Sequence, residues 1–194
     1  MPWPTLNDPV HDSQRLFRQL LTAMSEPGTL HTLEVPSPPG DDIGPALWGV
    51  LLTLCDLDTR VWLAPALDGP ALQEALVFHT GCRLTADPAE ADFALVTPGV
   101  LAEPIAFALG SDEYPDRSTT LLVALDTLEP AGEWYLTGPG IALQRQLGLG
   151  VAAAPLMARL AANRGSFPCG LDAILTCGAR LAALPRSTRI EEVA

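Results

Sequence analysis

Three short apolar runs constrain this chain more than any other feature. They are Phe93-Ala94-Leu95-Val96, the stretch from Thr119 to Leu125 and the stretch from Leu171 to Thr176. A run without polar alternation suits a strand covered on both faces, which is where central strands of a parallel sheet sit. Segments with helical spacing lie around them. From Pro9 to Met24, residues Leu16, Phe17, Leu20, Leu21 and Met24 share one face. Asp8 is placed to cap this helix, and Ser25-Glu26-Pro27-Gly28 to stop it. Pro45 to Cys55 is apolar throughout. Gly69 to Phe78 turns Leu72, Ala75 and Leu76 inward, and Ala153 to Asn163 does the same with Leu156, Leu160 and Ala161. Thr29 to Val35 alternates like an edge strand. Arg60 to Ala64 and Cys82 to Thr85 are short strands, and Pro88 to Ala91 is a helical turn. Glu133 to Thr137 is a further strand, ending at Gly138-Pro139-Gly140. Leu171 to Thr176 is the last strand that the pattern predicts. Strands alternating with helices predict an α/β fold, a three-layer αβα arrangement around a mainly parallel mixed sheet. All 194 residues read as one domain, with no internal repeat and no low-complexity tract.

Composition narrows the chemistry. All eleven basic residues are arginines, so the chain has no lysine. Schiff-base catalysis, a Walker A loop and the kinase strand lysine are therefore excluded. A net charge of −12 disfavours nucleic acid and anionic lipid as partners. Two arginines close together can still hold one small anion, because a field is local and net charge is not. The opening segment, Met1-Pro-Trp-Pro-Thr-Leu-Asn-Asp, has no basic or apolar leader, and Ile43 to Cys55 is shorter than the ~20 residues of a membrane span. The expectation is a cytoplasmic protein. Cys55, Cys82, Cys169 and Cys177 form no C-x-x-C pair and no zinc spacing, so they are expected to be reduced thiols, mostly buried, with no metal.

Two motifs are candidates for ligand binding. Gly138-Pro139-Gly140 follows a strand, and backbone N–H groups of such a turn, with a helix start behind it, can hold phosphate. The spacing alone suits a ligand-free turn better, since Leu143 stands where a dinucleotide fingerprint has its third glycine. Arg186-Ser187-Thr188-Arg189 offers two guanidinium groups and two hydroxyls that could fork onto phosphate oxygens. The plainer alternative is a solvated tail paired with Glu191 and Glu192. The anion-binding candidates are thus Gly138, Gly140, Arg186, Thr188 and Arg189. His11, His31 and His79 are scattered, no Gly-x-Ser-x-Gly elbow is present, and Asp56/Asp58 reads as a polar turn. No catalytic set is evident.

Several segments, in order, resemble the PhnH family of the bacterial carbon–phosphorus lyase system. They are Leu16 to Gly28, Leu51 to Leu63, Phe78-His79-Thr80, Leu136 to Ile141, Phe167 to Gly178 and Leu184 to Thr188. Arg60 departs from the pattern, which usually has proline there. The resemblance implies a fold like that of pyridoxal-phosphate-dependent transferases, without the cofactor. It implies a homodimer that joins PhnG, PhnI and PhnJ in a core complex, with PhnL-type partners. That complex supports replacement of the adenine of ATP by an alkylphosphonate, giving ribose 1-alkylphosphonate 5-triphosphate. The resemblance assigns the nucleosidase-type chemistry chiefly to PhnI and the iron–sulfur radical step to PhnJ, and it carries no catalytic residue over to this chain. The expected role is scaffolding or co-catalysis. The competing reading is a free-standing module or enzyme that binds a small phosphate or phosphonate.

Overall fold

The computed structural model describes residues 3–40 and 43–193; Met1 and Pro2, at the start of the segment compared with a leader, lie outside them. Helix α1 (Pro9–Ser25) starts where the sequence predicts. The Asp8 side chain accepts from the His11 backbone N–H, and that bond holds its carboxyl below the usual carboxylate range. Strand β1 (His31–Thr32) is followed by α2 (Pro45–Leu54), β2 (Arg60–Leu63), α3 (Pro70–Thr80), β3 (Arg83–Leu84), β4 (Phe93–Val96) and β5 (Thr120–Ala124). Then come β6 (Glu129–Thr137), β7 (Arg145–Gly148), α4 (Ala154–Ala161), β8 (Asp172–Cys177), β9 (Arg180–Leu184) and β10 (Arg189–Glu192).

Seven strands form one sheet in the order β1-β9-β8-β5-β4-β2-β3. From β8 to β3 every pairing is parallel, and β9 and β1 add two antiparallel strands at one edge. The three apolar runs are β4, β5 and β8, which are neighbours in the middle of the sheet. Their alternate residues feed two separate cores. Leu95, Leu122 and Ile174 pack with α1, α2 and α3, while Val96, Leu121, Leu175 and their like pack with α4 and the strands beyond. This double coverage is why the runs carry no polar alternation.

Strands β10-β6-β7 make a second, three-stranded antiparallel sheet. Its presence changes the expected layering. The second face of the main sheet is covered by this small sheet and α4, where the sequence reading anticipates a layer of helices. The strand expected from Glu133 to Thr137 belongs to it, as part of the longer β6. Leu171 to Thr176 is also not the final strand, since β9 and β10 follow. Beyond Gly178 the segments alternate weakly and are short, so neighbours distant in sequence decide their conformation.

Burial corrects two details. In α1 the buried stripe is Leu16, Leu20 and Ala23, whereas Phe17 and Leu21 lie at its margin and are about half exposed. In α4 Met157 turns inward, and Ala161 is only half-buried. Helix α2 has Ala46, Leu47, Trp48, Val50 and Leu51 buried, so the core of this chain accounts for its apolarity. Trp48 is fully enclosed. Its ring lies 4.8 Å from that of Trp3, and its indole N–H donates to the Pro4 carbonyl at 2.8 Å. Cys55 and Cys82 are buried, and burial pushes both thiols up. Cys169 and Cys177 are half-buried. Among the described residues no helix is long and apolar enough to cross a membrane.

Candidate functional site

The fold gathers the segments on which the candidate residues lie. The β6–β7 connection, the end of α1 and the turn from Pro185 to Thr188 meet at one end of the small sheet. Gly140 has φ of +80°, and a Cβ there would stand 2.0 Å from the Ser25 carbonyl oxygen. Glycine is required because the turn is pressed against the stop of α1. Gly138, with φ of +126°, lies against the Ser187–Arg189 backbone; a Cβ would come within 3.1 Å of the Ser187 carbonyl oxygen. Arg145 of β7 adds a bond to the Glu26 carbonyl at 3.1 Å and another to that of Pro27. No helix follows Gly140. The chain passes through a short irregular stretch into β7, so the turn has no helix N-terminus behind it.

Arg186 and Arg189 are three residues apart and have different fates. Arg186 lies against Asp172, the first residue of β8. Its guanidinium meets the carboxylate at 2.5 Å, and both side chains are roughly 15% exposed. The same guanidinium donates to the Pro115 carbonyl at 2.5 Å, the Ser118 hydroxyl at 2.5 Å and the Pro168 carbonyl at 3.4 Å. The Arg186 backbone N–H also donates to Asp172 at 2.7 Å. All of its polar hydrogens point at groups of this chain. It ties the β9–β10 turn, the loop before β5 and the loop before β8 into one unit. Arg189, at the start of β10, is exposed. Among the described residues its side chain has no hydrogen bond and no ion pair, and neither Glu191 nor Glu192 turns to it.

A cleft of ≈ 300 Å³ opens beside β10. Its walls are Pro139, Arg164, Phe167 and the run Arg186 to Arg189. Three of the five candidate residues, Arg186, Thr188 and Arg189, therefore share one cleft. Gly138 and Gly140 flank its Pro139 wall without lining it. Thr188 is 6% exposed, and its hydroxyl is buried with no hydrogen-bond partner.

Sequence reasoning missed Arg164 and Phe167, and it missed the residue that places them. Asn163 is buried and clamps Leu171 with two bonds, one to its carbonyl at 2.8 Å and one from its N–H at 2.9 Å. The clamp closes the base of the 164–170 loop. Gly170 lies so near the Asn163 amide that a Cβ would meet it at 2.5 Å. The available signal was an arginine and an aromatic residue in a polar loop directly after a helix. Reading it required knowing that the loop folds back toward Arg189. No cluster of three or more His, Cys, Asp or Glu among the described residues is placed to hold a metal.

The family model described as "Bacterial phosphonate metabolism protein (PhnH)" matches residues 4–191. The chain belongs to the PhnH family. The Rhizobium meliloti (strain 1021) protein named "Alpha-D-ribose 1-methylphosphonate 5-triphosphate synthase subunit PhnH" is 39% identical over 191 residues, covering 95% of this chain and 92% of the relative. A "Putative C-P lyase subunit protein HtxG" from Stutzerimonas stutzeri is 33% identical over 177 residues, covering 91% of this chain and 85% of the relative. Of the segments that carry the family resemblance, those around Gly28, Leu136 to Ile141 and Leu184 to Thr188 touch one another in the fold. Gly28 would meet Leu136 at 2.5 Å if it bore a Cβ, and its N–H donates to the Ala183 carbonyl at 3.0 Å.

Proposed function

We propose that this chain is a subunit of a ribose 1-alkylphosphonate 5-triphosphate synthase, acting in the cytoplasm in the breakdown of organic phosphonates. The observation that carries the reading is the family match over residues 4–191, together with the synthase relative that matches 95% of this chain. The chain acts as a single-domain homodimer within a core complex of PhnG-, PhnI- and PhnJ-type subunits, with PhnL-type partners. There it shapes a shared site while another subunit breaks the glycosidic bond of ATP. The main sheet, covered on both faces, supports kinship with the pyridoxal-phosphate transferase fold. The lack of any lysine agrees with a role that does not use that cofactor.

The test is co-expression with the three partner subunits. The chain is expected to co-purify with them, and adenine is expected to be released from ATP and methylphosphonate only when the chain is present. Equal release without it removes any catalytic contribution. Failure to associate removes the subunit reading and favours a free-standing module.

A further inference from the structure

We propose that the cleft beside β10 binds the tetrahedral oxyanion of a small organic phosphate or phosphonate, with Arg164 and Arg189 on the oxyanion and the Phe167 ring against the organic part. The first observation is two unpaired arginines in one place. Although the chain has 23 acidic residues to 11 basic ones, only four of its guanidinium groups pair with a carboxylate among the described residues. Arg15, Arg60, Arg180 and Arg186 each pair with one. Arg164 and Arg189 pair with none among the described residues, yet both line one cleft. Two guanidinium forks facing the same space match the oxygens of a phosphate-type group and repel each other until an anion arrives.

The second observation is rigidity. The loop that carries Arg164 and Phe167 is clamped at its base by Asn163 and held at Pro168 by Arg186. Arg186 lines the cleft, and its bonds to Asp172, Pro115, Pro168 and Ser118 fix the turn that leads to Arg189. A ligand therefore meets arginines whose backbone is already in place, which lowers the ordering cost of binding. The third observation is the Thr188 hydroxyl, buried in the cleft wall without a partner. A ligand oxygen that reaches it satisfies a group that is otherwise orphaned. The fourth is Phe167, which is 64% exposed and lines the same cleft. An aromatic face there gives an organic ring something to stack on, while a bare inorganic ion gains nothing from it. The volume, ≈ 300 Å³, accommodates a head group and a ring or short chain.

This inference stands on the cleft alone and not on the synthase reading, so the purified full-length chain tests it. Calorimetric titrations with ATP, phenylphosphonate and inorganic phosphate separate the sources. ATP or phenylphosphonate is expected to bind, and inorganic phosphate at least about tenfold more weakly. Arg164→Gln and Arg189→Gln should each weaken the organic ligand about tenfold or more. Phe167→Ala should bring that ligand close to the affinity of inorganic phosphate and leave phosphate itself unchanged. Binding of one organic ligand and not the other supports the site and identifies its source. No heat from any ligand at millimolar concentration overturns the proposal, as does binding that both arginine variants leave intact. Variants that strip partner subunits from the complex while all titrations stay silent would make the cleft a docking surface, which also overturns it. Arg189 sits in a strand, so thermal melts accompany each titration; if R189Q melts early, R164Q and F167A carry the test.

Discussion

Helix α2 and the cleft beside β10 lie at opposite extremes of this molecule. Helix α2 has no charged residue, and most of its side chains are buried. Its position is fixed by the removal of apolar surface from water, a force without direction. The cleft contains three arginines, and its shape depends on directional bonds between residues far apart in sequence. One region holds the fold together; the other has donors to spare. A side chain's role in this chain is therefore read from its unmet interactions. Trp48 has none, since its ring is enclosed and its N–H is bonded. Arg186 has none either, despite being the kind of residue that binds ligands. Arg189, three residues on, has no side-chain partner among the described residues.

The largest effect that would sharpen this contrast belongs to α2. Trp48→Ala removes a large, fully buried side chain from the first core and is expected to cost about 3–5 kcal/mol. Urea unfolding checks it, read as a lower midpoint with an unchanged slope. A cost below about 1 kcal/mol would mean that the first core does not close around this ring.

The second effect lies at the junction of the two regions. Asp172→Asn leaves Arg186 charged and largely enclosed without its counter-ion. The expected cost is about 2–3 kcal/mol, a little under that of breaking a fully buried pair, because both partners keep some exposure. The double variant Asp172→Asn with Arg186→Met should recover part of that loss, because the stranded charge is gone. If the single and double variants lose the same amount, the pair is not what holds the turn.

The same contrast explains what was legible in the sequence. The three central strands, α1, α2 and α3 follow from local pattern: unbroken apolar runs for the strands and α2, and apolar residues at helical spacing for α1 and α3. The small sheet did not follow. β6 pairs with β10 more than fifty residues later, and β10, at the edge of that sheet and mostly exposed, carries no alternation that would reveal it. The candidate site was half legible. Arg186, Thr188 and Arg189 stand together in a motif, and the structure keeps them in one cleft. That Arg186 would be engaged by Asp172, fourteen residues upstream, is a long-range pairing with no local signature. Nor could spacing show that Arg164 and Phe167 face Arg189 across space. The glycines were legible as turn residues, but their requirement comes from Ser25 and Ser187 pressing against them, which only the fold supplies.

The smallest expected effect is the most discriminating. Arg164→Gln and Arg189→Gln combined should change stability by no more than about 0.5 kcal/mol, because both side chains are exposed and neither holds another element in place. They could even stabilise slightly, by relieving repulsion between two guanidinium groups that share a cleft. A structural arginine behaves otherwise: Arg186→Gln should be costly, since Asp172, Ser118 and two carbonyls lose their donor together. Side-by-side melts of the double variant and of Arg186→Gln make the comparison within a single cleft. If the double variant melts as early as Arg186→Gln, the free arginines support the fold, and the division between holding and binding fails where it is drawn most finely.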